Sequence, residues 1–418
     1  MERRPLSALR ATLLAAALWV LVALAPCAQA AGLARWLDPT TAPFIPIPEI
    51  DSDPQSGITL GVIPVWLRNN EHGEIARIIA PDVIHSQYFG WGSRFRVFRF
   101  PSPDRNWSIV GGLKQRVERE FDGIYTDGLS RTSGWSHSIE TIYDRNGTSR
   151  FFGIGNRTPR SAESDFVGSQ WRIDASLGRN FGTRLQLAWQ LKLRAVDVLP
   201  GVLSGLPSTT DRFAGVAGVG RTHEAEQRLA LSYDTRDQAL IPRSGVHVTA
   251  YAGLADRGLG SSVSYSVWGV ALNDYWTPRA GLTLAWHGAL RVMPGGSNVP
   301  FWALSSLGGD RSLTGEREPL RGYGAGRYVD RNEIAAGFEA RTRVADFDAL
   351  ATHVAIELAP FVDVGKVYAR AGENLLMGLQ RSWGIGFRAV ASPYVVGYVD
   401  VGYGRGESAV FSGIAYPF

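Results

Sequence analysis

The chain has 418 residues, a formal net charge of +4, 20% charged and 45% hydrophobic residues. That length allows two or three soluble domains or one large barrel, and the near-balanced charge points to no nucleic acid and no acidic partner. Glycine at 48, tryptophan at 13 and tyrosine at 14, without apolar runs of membrane-spanning length beyond the N-terminal segment, exclude a helical membrane protein and fit a transmembrane β-barrel.

Residues 1–30 read as a secretory signal peptide. Arg3, Arg4 and Arg10 give a basic start, Ala11 to Ala25 an apolar core, and Ala28-Gln29-Ala30 a small-x-small cleavage site. As a membrane anchor that core is short, since a span needs about 20 residues. The only cysteine, Cys27, lies in this segment. Cleavage after Ala30 leaves a mature chain without disulfides, thiol catalysis or cysteine metal sites. Residues 31–56 carry Pro39, Pro43, Pro46, Pro48 and Pro54 and are read as an extended periplasmic lead-in outside any ladder.

From Gly57 to the end, short segments alternate apolar and polar residues. Arg184 to Arg194 is the clearest: Leu185, Leu187, Trp189, Leu191 and Leu193 take one face, and Gln186, Gln190, Lys192 and Arg194 the other. A period of two places one set in lipid and the other in a wet lumen. The same pattern returns around Leu229, Leu284, Val362 and Ile385. The expected fold is all-β: a sixteen-stranded antiparallel transmembrane β-barrel over residues 57–418 with a long loop folded into the lumen. Short turns with Pro or Gly, such as Asp237 to Gly245, would face the periplasm, and the longer Pro200 to His223 and Pro294 to Arg331 would face outward.

The longest of these loops contains Leu320-Arg321-Gly322-Tyr323, and a later strand reads Phe361-Val362-Asp363-Val364-Gly365. Together they resemble the [V/L]-R-G-[F/Y] loop tip and the F-x-D-x-G strand of the BamA/TamA/FhaC superfamily of outer-membrane assembly barrels. The resemblance implies a lumenal latch in which Arg321 meets Asp363, with Glu339 as a second acceptor. Parity puts Glu339, Arg341, Phe361 and Asp363 on non-lipid faces. Gly322 and Gly324 would let the tip turn, and Tyr323 would stack on the wall. A solvated surface loop with an ordinary arginine is the competing reading. The final residues also resemble the C-terminal insertion signal of such barrels, with Ile414, Tyr416 and Phe418 at alternate positions. Phe151-Phe152-Gly153-Ile154-Gly155-Asn156 resembles members that lack POTRA domains, and no chemistry attaches to it.

The sequence contains no G-x-S-x-G, H-E-x-x-H or Walker-type loop, and its seven histidines lack ligand spacing. Ser136-His137-Ser138 is the nearest approach to a hydrolase pair and reads as a polar strand face. No enzyme activity, cofactor or metal is expected. The resemblance implies a bacterial outer-membrane location and a role in inserting or translocating proteins or lipids. The implied partners are outer-membrane lipid, a client protein or lipid, and a periplasmic partner in place of POTRA domains. A passive or gated channel for small solutes is the alternative.

Overall fold

The computed structural model describes residues 44–53, 57–71, 74–296, 298–309, 319–349, 352–370, 372–391, 395–414 and 416–418. The signal segment and most of the lead-in lie outside them, as does the 310–318 part of the long loop.

The strands in chain order are β1 (Ile45–Asp53), β2 (Gly57–Asn69), β3 (Ile75–Ile79), β4 (Val83–Ser86), β5 (Gly90–Ser102), β6 (Arg105–Lys114) and β7 (Arg119–Asp127). Then come β8 (Trp135–Phe151), β9 (Ser164–Phe181), β10 (Leu185–Pro200), β11 (Gly220–Asp234), β12 (Gly245–Ala255), β13 (Tyr265–Arg279) and β14 (Leu282–Gly295). The series ends with β15 (Ser305–Leu307), β16 (Tyr328–Asp330), β17 (Asn332–Ala349), β18 (Thr352–Tyr368), β19 (Gln380–Ala391), β20 (Val395–Gly404) and β21 (Glu407–Ile414). Nineteen of them form one antiparallel sheet, and β15 and β16 form a separate ribbon.

Alternation decides which face each residue takes. On β10, Leu187, Trp189 and Leu193 are exposed on the outer face, while Ala188 and Arg194 are buried on the inner one. Unbroken register with β9 and β11 fixes that choice, because a one-residue slip would turn every leucine inward. Large apolar residues stay uncovered on the outer face of nearly every strand, among them Trp171, Leu229, Trp276, Val362 and Trp383. Such an apolar band exceeds what a soluble surface carries.

Two expectations change. The sheet exceeds sixteen strands: its nineteen strands fill eighteen positions, since β3 and β4 both sit between β2 and β5, interrupted at Pro81. One strand without a clear alternation is β7, which carries Arg119 and Asp127 on one face and Glu120 and Asp122 on the other. Another is β1, inside the proline-rich lead-in, paired with β2 along its whole length. Pro46 and Pro48 are two apart, so their missing donors fall on one edge and leave the other able to pair. At the C-terminus, β21 ends at Ile414, and Tyr416 and Phe418 are buried against the inner face. The side chain of Ile414 lies outside the described residues.

The two ends of the sheet meet at β1 and β21 through a single register pair, Ser52 with Val410. Side chains add to this contact. Val65, Ile75 and Ile78 of β2 and β3, with Leu67, Phe98 and Phe100, pack on Val354, Ile356 and Ala391 of β18 and β19.

Candidate functional site

The connection from β14 to β17 folds back over the inner face. A short turn at Phe301–Ala303 seats Phe301 and Trp302 among Phe151, Phe166, Tyr265 and Met293, in an apolar cluster on the inner face. Between the two strands of the β15–β16 ribbon, Leu320-Arg321-Gly322-Tyr323 makes a tight turn in which Tyr323 N–H donates to the Leu320 carbonyl at 3.2 Å. Leu320 anchors it, fully buried with Leu307, Tyr328, Ala335 and Val367.

That anchorage pushes Arg321 into the sheet wall. Its Nε and Nη2 donate to the two oxygens of Asp363 at 2.9 and 2.7 Å, and its own main-chain N–H adds a third bond to Asp363 at 3.1 Å. Nη1 reaches Asp400 at 3.1 Å and Glu339 as well. The guanidinium lies 3.6 Å from the centre of the Phe361 ring. Arg341 donates to Glu339 at 2.9 Å, and Arg388 bridges Glu339, at 2.9 Å, and Asp400. Three guanidinium groups and three carboxylates thus form one buried, charge-balanced network. A charge left alone here would carry its whole desolvation cost. Lysine could not replace Arg321, since a compact ammonium lacks the planar fork that serves several acceptors and stacks on a ring.

Glycine lets the turn reach the wall. A Cβ on Gly322 would lie 2.4 Å from the Gly404 nitrogen, and one on Gly402 would lie 2.0 Å from the Arg321 carbonyl oxygen. The loop backbone therefore rests directly on β20. Tyr323 lies against the wall as well: a Cβ on Gly404 of β20 would lie 2.5 Å from its ring. Its ring meets Tyr328 edge-on at 5.5 Å, and its hydroxyl donates to the Arg381 carbonyl at 3.2 Å and accepts from Arg405 N–H at 2.9 Å.

The C-terminal residues complete the lower side of the network. Arg341 sits 3.7 Å from the Tyr416 ring centre and donates to the main-chain oxygen of Phe418 at 3.3 Å. The Tyr416 hydroxyl donates to Glu357 at 2.9 Å, and the Phe418 ring stacks on His287 at 5.3 Å. A cavity of about 350 Å³ opens beside these rings, lined by Arg236, His247, Asn273 and Tyr275 among others.

A second attachment involves the segment after β8. Gly155 N–H donates to the Val329 carbonyl at 2.7 Å, and Asn156 ties to Gly378, Val367 and Gln380 at 2.7, 3.2 and 3.0 Å. Arg327 lies over Phe152 at 4.3 Å and donates to Glu407 of β21 at 3.2 Å. The Phe151–Asn156 stretch therefore straps the long loop to the far wall.

Of the sequence candidates, Leu320, Arg321, Gly322, Tyr323, Glu339, Phe361 and Asp363 come together. Gly365 contacts the same loop elsewhere: a Cβ there would lie 2.7 Å from Leu307. Arg388 and Asp400 belong to the same network and are not contained in the motifs. Their signal is a lone charge at an inner-face position, as in Val399-Asp400-Val401, and alternation alone cannot say which inner charges meet.

No curated protein matches this chain. Among solved structures, BamA from Haemophilus ducreyi lacking POTRA domains 1-3 is similar at 14% identity and a TM-score of 0.50, over 93% of this chain and 77% of that one. CdiB from Escherichia coli aligns at 11% identity and a TM-score of 0.47, over 89% of this chain and 62% of the other. The Omp85 superfamily domain matches residues 114–396, which hold the latch turn, Glu339, Asp363 and Arg388. With most of its length matched in this way, the chain belongs to the Omp85 superfamily.

Proposed function

We propose that this protein is an outer-membrane barrel that helps insert or translocate proteins or lipids, with an exported precursor, a closed sheet and a lumen plugged by the latched loop. The observation that carries the reading is where the plug is fastened. Arg321, Gly322 and Tyr323 rest on β20, and Arg327 pairs with Glu407 of β21. Those two strands form the hairpin beside the weakest joint of the sheet, the Ser52–Val410 contact. The missing donors of Pro46 and Pro48 fit a β1 edge that pairs well with β2 and poorly with β21. A joint that opens there would offer free strand edges to an incoming strand. A passive solute channel would need a clear lumen, and the buried network and the Phe301–Trp302 turn stand against that alternative. The role is non-enzymatic, and its partners are membrane lipid, a client, and a periplasmic protein that delivers it.

Locking the joint tests this. Facing residues of an antiparallel pair are about 4.5–5.5 Å apart at Cα, within reach of a disulfide. The sequence has no cysteine beyond Cys27, so Ser52→Cys with Val410→Cys gives a clean bridge. In vesicles carrying the double variant, assembly of a urea-unfolded outer-membrane barrel should fall sharply on oxidation and return on reduction. Equal assembly in both states would overturn the proposal.

A further inference from the structure

We infer that the outer face of β2, β3 and β5 holds a binding site for the phosphate headgroup of an anionic phospholipid. Arg68, Arg77 and Arg99 stand in direct register across these three adjacent strands. Their inner-face neighbours Leu67, Ile78 and Phe98 belong to the apolar cluster under the sheet, so the arginines take the opposite, outward face. Arg68 and Arg99 are exposed and Arg77 is half-buried.

The row lacks the counter-charges found elsewhere. Among the described residues, none of the three guanidinium groups has a hydrogen-bond or ion-pair partner. Inside the sheet Arg96, Arg321, Arg341 and Arg388 meet carboxylates, and on the next strand along the same rim Arg105 pairs with Asp127 at 2.7 Å. In the adjoining turn, Glu74 accepts from Asn70 at 3.0 Å, and neither it nor Glu71 is bonded to the row. Like charges facing one another across neighbouring strands, about 4.8 Å apart, destabilise a sheet. An anion that bridges them removes that repulsion, and guanidinium groups match the geometry of phosphate oxygens.

Two features make a lipid the source of the phosphate. Two residues along each strand runs an apolar row, Trp66, Ile79, Val97 and Ile109, also in register and outward, with Trp107 beside Arg99. Basic heads at one level and apolar side chains at the next match a headgroup above its acyl chains. The row also lies at the end of the sheet with the short turns, shared by the β9–β10 and β13–β14 connections, whereas the long connections after β8, β10 and β14 leave from the other end. Short turns mark the periplasmic side of outer-membrane barrels, so the site faces the periplasmic leaflet. This inference rests on the membrane reading of the outer face.

The test uses the full chain in phosphatidylcholine vesicles, with spin-labelled phosphatidylglycerol and phosphatidylcholine as probes. The wild type should prefer the anionic probe by about fivefold or more. The preference should fall towards unity in the triple Arg68→Gln, Arg77→Gln, Arg99→Gln variant, drop partway in Arg77→Gln alone, and survive in Arg77→Lys. Arg179→Gln, at the same rim but stacked on Trp135 at 5.2 Å, should keep it. An unchanged preference in the triple variant, or an equal loss in Arg179→Gln, overturns the site. Loss of preference with excess inorganic phosphate but not with sodium chloride of equal ionic strength makes it a free-phosphate site and overturns the lipid assignment. A wild type that inserts but shows no preference sinks this inference alone, whereas a wild type that fails to enter neutral vesicles sinks the membrane reading with it.

Discussion

At Arg321, three carboxylates converge on one guanidinium, so its loss reaches beyond a single bond. Arg321→Ala leaves Glu339, Asp363 and Asp400 sharing two arginines and should cost about 3–5 kcal/mol, well above an exposed ion pair. Asp363→Ala should also destabilise strongly. The double variant should be little worse than Arg321→Ala, because the two singles remove one shared contact. Denaturant unfolding in detergent measures all three, and strictly additive losses would mean that the pair is not made in solution. A second substitution probes the turn without touching charge. Gly322→Ala places a methyl against the backbone of β20, so the turn must withdraw and the loop should become protease-sensitive. A loop as resistant as wild type would show that the close approach is absent.

Individual elements test the two faces and the tail. On β10, Leu191 shares the outer face of Trp189 and Leu193, and Gln190 the inner face. Leu191→Arg should cost about 2–4 kcal/mol in refolding titrations into vesicles, while Gln190→Arg should be near neutral. Equal effects would show the faces to be reversed. The C-terminal Tyr416–Phe418 segment is a different case. It caps Arg341, which shares Glu339 with Arg321, so the tail and the loop tip draw on the same carboxylate. Deleting these three residues should lower the unfolding temperature and raise loop proteolysis together. A fall in the first without the second would mean that the tail braces the sheet independently of the loop.

For the whole molecule, the question is whether the interior conducts. With the long loop fastened at Arg321 and Arg327 and the Phe301–Trp302 turn packed beneath, a planar-bilayer pore should be small and unsteady. Deletion of Thr314–Gly326 should enlarge it. A large, steady pore that ignores the deletion would favour the channel reading. The joint between β1 and β21 belongs to the same scale, because its strength depends on both ends of the chain and on the hairpin that the loop holds.

Much of this was legible in the residues themselves. Alternation placed Leu187, Trp189 and Leu193 outside and Glu339 and Asp363 inside, since a strand exposes successive side chains to opposite faces whatever it pairs with. The Leu320–Tyr323 and Phe361–Gly365 motifs marked both halves of the Arg321–Asp363 contact through family likeness. Alternation failed where its signal was masked: β7 carries charges on both faces, and the prolines of β1 concealed a strand that keeps one good edge. Other features exist only once the sheet curves. Arg388 and Asp400 join the network because β19 and β20 pass beside β18, and Phe418 turns inward because Arg341, His287 and Tyr275 offer it a seat. Arg68, Arg77 and Arg99 become a row only through the register of three strands. Face is a local property of backbone geometry and so is written in the sequence. Which charges meet across a curved sheet depends on strand order and register, and those are set by pairings between residues far apart in the chain.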